Sequence, residues 1–210
     1  MKPNTAILTC ILGDFDTPVD PVSQSIPYAF HRFTDEDFPP VTGLTPRLQY
    51  RIPKTHGFEM FPGYDYYLWL DGAMSLGIDC LEWYLKELGD GDIAFFKHPD
   101  RETIKEEVEH IEEHLKLEKP YISSRYKNGL HRESFNKTGD DRLFASTVFI
   151  YRNTPKVQEA LKDWFYEGTR YFTCDQVQLS YILKKHNLNV KVFSEHIYKT
   201  KYLNRVSNHK

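Results

Sequence analysis

Apolar and polar positions along the chain fall into blocks that alternate between strand-like and helix-like spacing. The run from Thr5 to Leu12 is mostly apolar and ends on Gly13-Asp14-Phe15-Asp16, a polar exit with a permissive glycine, which predicts a buried first strand. Tyr28 to Phe33 predicts a second strand, stopped by Thr34-Asp35-Glu36-Asp37 and the Pro39-Pro40 pair. From Gly43 to Gly63 the pattern is irregular, with Pro46, Pro53 and Pro62 breaking any long element. Tyr66 to Leu70 is nearly all apolar or aromatic, as suits a central strand covered on both faces.

Helical spacing takes over after that strand. Asp79 as N-cap, Glu82 three residues on and Gly89 at the far end bracket a helix whose apolar face carries Leu81, Tyr84, Leu85 and Leu88. Asp92 to Phe96 predicts another strand. Ile104, Val108, Ile111 and Leu115 then recur at spacings of four, three and four, an amphipathic helix with a solvated acidic face. Phe144 to Tyr151 is strand-like. Thr154-Pro155 opens a helix with the stripe Val157, Ala160, Leu161, Trp164 and Phe165. Asp175 caps a helix carrying Leu179, Ile182 and Leu183, and Asn189 to Phe193 predicts the last strand. Strands alternating with helices predict an α/β fold, a Rossmann-like three-layer sandwich around a mostly parallel central sheet. Ligands then belong at the carboxyl ends of the strands.

Composition narrows the function classes. A length of 210 residues fits a single domain over 1–210, open to being one part of a longer chain, and leaves little room for paired Rossmann halves. A net charge of −3 gives no electrostatic footprint for a polyanion, so nucleic acid is not an expected partner. No apolar run approaches the roughly 20 residues of a membrane span. Ala6 to Leu12 lacks a cleavage site after it and reads as a strand, not a signal peptide. Cys10, Cys80 and Cys174 are dispersed and form no CxxC pair, which points to reduced thiols and a cytoplasmic protein (in the host cytoplasm if the chain is viral).

The most informative stretch is Tyr64-Asp65-Tyr66-Tyr67-Leu68-Trp69-Leu70-Asp71-Gly72-Ala73. A hydrophobic strand delivers one carboxylate, Asp71, to its C-terminal edge, and Gly72 would let a ligand approach the backbone. A hard divalent cation on a diphosphate needs few protein oxygens, because phosphates and water fill the other positions. The same residues also fit a plain strand-ending Asp-Gly turn. Arg47, Arg51 and Lys54 are spaced to put positive charge on a pyrophosphate, by guanidinium fork or ammonium point charge.

The order of these motifs resembles glycosyltransferases of the GT-A fold, which end an aromatic strand in Asp-x-Asp. More closely it resembles a plant and bacterial family with a Trp-x-Asp-Gly version. Arg47 or Arg51, Lys54-Thr55-His56, His98-Pro99-Asp100-Arg101 with Glu106-Glu107, and Asp175-Gln176 match that family's flanking elements in order. The chain is also similar to the N-terminal glycosyltransferase domain of chlorella-virus capsid-glycan enzymes. The resemblance covers roughly Ala6 to Phe193. It implies a GT-A fold, a nucleotide-sugar donor such as a UDP-sugar, a glycan acceptor, and Mn²⁺ or Mg²⁺ at Asp71. Where that motif has its second acid this chain has Ala73, so either Asp71 works with water and a distant side chain or metal binding is weak.

The resemblance also distributes roles. His196 stands where a late metal-binding histidine falls, though it equally fits a surface histidine; His209 is a weaker second choice. Asp175 and Gln176 would act at the reacting carbon, Asp175 being at the same time an ordinary cap. Thr9, Gly13 and Asp35, with Gly72 and Ala73, would meet the donor. Lys97, His98 and Arg101 would face the acceptor, with Tyr171 and Phe172 as an aromatic wall. The basic segment from Arg125 to Arg132 reads as a lid. The resulting expectation is a metal-dependent hexosyl- or deoxyhexosyltransferase. The missing acid at 73 keeps open a module that binds nucleotide sugar or glycan without turnover. A nucleotidyltransferase ranks low, because no glycine-rich phosphate loop follows the first strand.

Overall fold

The computed structural model describes residues 4–114, 139, 142–171 and 175–206. Its central sheet contains β1 (Thr5–Cys10), β2 (Tyr28–Phe33), β3 (Tyr66–Asp71), β5 (Ile93–Lys97), β6 (Phe144–Arg152) and β7 (Val190–Val192), in the order β2-β1-β3-β6-β5-β7. β1 pairs in parallel with β2 and β3, and β5 with β7; β6 alone is antiparallel to its neighbours. The sheet is thus mostly parallel, as the alternating pattern predicts. β4 (Met74–Leu76) and β8 (Leu203–Arg205) form a separate antiparallel ribbon. Because β2 and β3 flank β1 on opposite sides, a crevice is expected at the carboxyl ends of β1 and β3.

The helices are α1 (Pro46–Gln49), α2 (Arg51–Met60), α3 (Leu81–Leu88), α4 (Ile104–His114), α5 (Pro155–Tyr171) and α6 (Asp175–Lys185). Strand alternation sorts side chains into two cores. Leu8 and Cys10 of β1, Tyr67 and Trp69 of β3, and Phe149 and Tyr151 of β6 pack with Phe58 of α2, Trp164 of α5 and Leu179 of α6. Ile7, Leu68, Leu70, Val148 and Ile150 pack instead with Leu81 and Tyr84 of α3 and with Met74 and Leu203 of the ribbon. Asp71, two positions beyond Trp69, therefore continues the face that looks onto α2 and α6.

Several local expectations are corrected. The proline-rich stretch that reads as irregular contains α2, because Pro53 is its third residue, where a helix has no N–H bond to lose. Gly57 lets α2 lie against β1; a Cβ there would collide with Leu8. Asp79 does not cap α3. Its Oδ1 accepts from the Ser25 backbone N–H, while Gln24 Oε1 accepts the N–H groups of Cys80 at 2.7 Å and Leu81 at 2.8 Å. A side chain more than fifty residues upstream thus closes the helix start. At α5 the expected cap is present, Thr154 Oγ1 accepting the Val157 N–H at 3.4 Å. The short strands β4 and β8 are not legible in the sequence, since three residues carry no usable alternation.

No helix among the described residues is long and apolar enough to cross a membrane. Cys10 and Cys80 are free and buried; burial and nearby carboxylates push the Cys80 thiol up to about 12 and that of Cys10 higher still, so neither is poised as a thiolate. Cys174 lies outside the described residues.

Candidate functional site

A cleft of about 510 Å³ opens where β1 and β3 end. Leu12, Gly13, Phe15 and Asp16 after β1 form one wall, Arg47 and Tyr50 at α1 another, and Asp71-Gly72-Ala73 line it from β3. The volume suits a ligand of nucleotide size.

Asp71 sits at the cleft with its side chain 27% exposed. Oδ1 accepts from Trp69 Nε1 at 2.7 Å and from Lys54 Nζ at 3.1 Å. Trp69 can reach it because residues two apart on a strand share a face. Oδ2 has no hydrogen-bond partner among the described residues. Burial raises the carboxyl above its usual value, Lys54 pulls it down, and the charge of Asp175 pushes it up again, with a net rise.

Lys54 is only 1% exposed. α2 brings its ammonium between two carboxylates, 3.1 Å from Asp71 Oδ1 and 2.7 Å from Asp175 Oδ2, with Ser146 Oγ at 3.5 Å. Three donors meet three acceptors, the full capacity of an ammonium. The rings of Tyr50 and Trp164 stand 5.5 and 5.8 Å from Nζ. Burial alone would lower the lysine's proton affinity, but Asp175 and Asp71 outweigh it and hold it well above its ordinary value. Lys54 is therefore a charged, enclosed group and does not line the cleft as a diphosphate contact.

Asp175 opens α6 and is anchored twice. Its carbonyl accepts Trp164 Nε1 at 2.6 Å, and its Oδ2 also lies 3.5 Å from the Tyr50 hydroxyl. Burial raises its carboxyl, but Lys54, Arg51 and Arg47 together hold it well below the usual carboxylate range. With Arg51, Lys54 and Trp164 it lines a small void beside the cleft rather than the cleft itself.

Gly72 lines the cleft, as expected of a donor-facing glycine, and is also tightly packed by the protein itself. A Cβ there would stand 2.8 Å from Ile11 Cγ1, 2.9 Å from Asp16 Oδ2 and 3.0 Å from the Cys10 carbonyl. On the side where a Cβ would project, the end of β1 and the loop after it leave no room for a side chain. Gly13, at φ 64°, lines the cleft and donates its N–H to both carboxylate oxygens of Asp35, at 3.1 and 3.0 Å. Asp35 thereby fixes the loop wall. Ala73 offers no second carboxylate; its carbonyl accepts the Val206 N–H at 2.7 Å.

The remaining expected residues divide. Arg47 lines the cleft, whereas Thr9 is buried within β1 and Arg51 is buried with Nη1 donating to the Gly168 carbonyl at 3.3 Å. Gln176 follows Asp175 on α6, partly buried. Lys97 is exposed at the end of β5. His98 and Arg101 are joined instead to buried Glu107: Arg101 Nε donates to Glu107 Oε2, and His98 Nδ1 accepts the N–H groups of Asp100 and Arg101 at 3.3 and 3.1 Å. Burial, with Arg101 beside it, lowers the proton affinity of the His98 imidazole despite Glu107, and its Nδ1 closes the turn. Tyr171 ends α5. Phe172, the segment from Arg125 to Arg132, and His209 lie outside the described residues.

His196 is exposed in the turn after β7, its Nδ1 accepting the Tyr198 N–H at 3.2 Å, and it is not among the residues lining the cleft. Among the described residues no three His, Cys, Asp or Glu side chains gather as a metal site. Asp71 Oδ1 is already shared by an ammonium and an indole N–H, so of that carboxylate only Oδ2 is left to meet a ligand. Sequence reasoning missed Tyr50 and Ser146, which carry no local signal, and read Trp164 only as part of a buried helical stripe. The Trp69-x-Asp71 spacing was legible and could have been read as one face.

Residues 44–209 match the family described as TOD1/MUCI70, glycosyltransferase-like domain, and the chain belongs to that family. No curated protein gave a significant match. The family assignment implies a sugar donor and an acceptor, and covers α1, α2, the Asp71 strand and α6 alike.

Proposed function

We propose that this member of the glycosyltransferase-like family moves a hexose or deoxyhexose from a nucleotide diphosphate donor, a UDP-sugar first of all, to a hydroxyl of a glycan. The observation that carries the reading is the Asp71 carboxylate at the edge of a cleft of about 510 Å³ at the β1/β3 crevice, in a chain of this family. The Leu68-Trp69-Leu70-Asp71-Gly72 run is also what makes the narrower likeness to the Trp-x-Asp-Gly enzymes and the viral capsid-glycan domain worth pursuing.

In this reading Asp71 Oδ2 accepts a hydrogen bond from a donor hydroxyl, and Arg47 meets the diphosphate, where a guanidinium can fork onto two oxygens. Asp175, held one ammonium behind Asp71, keeps that carboxylate in place; its depressed proton affinity suits a fixed charge better than a proton acceptor. Dependence on Mn²⁺ or Mg²⁺ is left out of this reading, because Asp71 already shares its Oδ1 with Lys54 and Trp69.

The test is a panel of nucleotide sugars with oligosaccharide acceptors, followed by nucleotide release and by mass spectrometry of the acceptor. Sugar transfer that falls by ~100-fold in Asp71→Asn is the expected result. Tight UDP binding without any turnover would favour the binding-only module that Ala73 leaves open. Absence of both UDP binding and turnover would overturn the proposal.

A further inference from the structure

We propose, resting on the nucleotide-sugar reading above, that Lys54 is the resident cation of this site. Its ammonium joins Asp71 and Asp175 in the place where the resemblance led to a divalent ion, so that the donor engages without metal. Lys54 is a positioning residue: it acts on the donor through Asp71.

Four observations converge. All three ammonium donors are spent on Asp71, Asp175 and Ser146, so the group is held and not free to swing aside. Trp69 Nε1 shares the same Asp71 oxygen, which pins the carboxylate with only Oδ2 remaining for a ligand. A dication bound to Asp71 would stand within a few ångströms of a buried positive charge that water cannot screen. Position 73, where a second acid would tip the balance toward the metal, is alanine.

The surrounding charges point the same way. Arg47, Arg51 and Lys54 all act on Asp175, so three cations face the carboxylates of Asp71 and Asp175. Asp16 on the cleft wall brings the count level. A diphosphate arriving at this edge meets the Arg47 guanidinium and an Asp71 whose charge is offset from behind.

The experiment reads metal and nucleotide separately. Mn²⁺ is titrated into the purified chain and followed by the electron paramagnetic resonance of the free ion. UDP affinity is measured by calorimetry in EDTA and in Mn²⁺. The expected result is a wild-type chain that leaves Mn²⁺ free and binds UDP equally well in both buffers. Lys54→Met, which leaves Asp71 and Asp175 facing each other across the vacated position, is expected to bind Mn²⁺ at least about tenfold more tightly than wild type.

Stoichiometric Mn²⁺ uptake by the wild type that Asp71→Asn abolishes would overturn the proposal. So would UDP affinity that rises tenfold or more with Mn²⁺. If UDP binds in neither buffer, the nucleotide-sugar reading falls, and the Mn²⁺ titration still judges Lys54. Should Lys54→Met fail to fold by circular dichroism, the two wild-type titrations decide without it.

Discussion

The Lys54 ammonium lies 2.7 Å from Asp175 Oδ2, although 121 residues separate them in the chain. One belongs to α2 and the other to the start of α6, so this pair ties the two helices to one edge of the sheet. With Asp71 at 3.1 Å it makes a three-residue charge cluster whose centre is closed to water.

Removing the centre of that cluster leaves two carboxylates without their shared cation. Lys54→Met is expected to cost about 3–5 kcal/mol of folding stability, the range for an orphaned buried charge. Urea denaturation should show it, and adding Asp175→Asn to the same chain should recover part of the loss. A double variant no more stable than Lys54→Met alone would contradict the arrangement.

Acid should act through Asp175. A carboxyl held below its unfolded value of about 3.9 lends stability that is complete above that pH and is lost as the pH falls through the folded value. Asp71, raised in the fold, works in the opposite sense and blunts the loss. Urea midpoints between about pH 2 and pH 6 should therefore decline toward acid, less steeply in Asp175→Asn than in the wild type. Equal slopes would remove Asp175 from the account.

Gly72→Ala tests whether the glycine serves the protein's own packing. The added Cβ meets Ile11, Asp16 and the Cys10 carbonyl at 3.0 Å or less. Overpacking of this kind costs about 1–3 kcal/mol. Chemical denaturation should report that loss with no ligand present; an unchanged midpoint would return the glycine to a purely ligand-facing role.

The start of α3 offers a direct comparison of two side chains. Gln24→Ala strips the acceptor from two backbone N–H groups and should cost about 1–2 kcal/mol. Asp79→Ala removes only the bond from Ser25 and should cost less. The reverse ranking by thermal denaturation would restore Asp79 as the cap.

Most of the strands were legible because β1, β3 and β6 are long apolar runs, and α5 because Thr154-Pro155 and its stripe carry their own local signals. α2 was hidden by Pro53, whose effect depends on where the helix begins and so is ambiguous until the structure fixes that start. The cap of α3 was misread because Asp79 satisfies the local pattern while Gln24, far upstream, satisfies the geometry.

The sequence by itself determined the alternating α/β order, the mostly parallel sheet, and the arrival of Asp71 on the same strand face as Trp69. These follow from side-chain period and local propensity, which act between near neighbours. Tertiary structure alone decided that Lys54 is enclosed and not presented to a diphosphate, that His98 closes a turn, and that His196 stays outside the cleft. Such outcomes depend on which distant charge a buried group meets, and Coulomb attraction in a dry interior selects partners by position in space, not by distance along the chain.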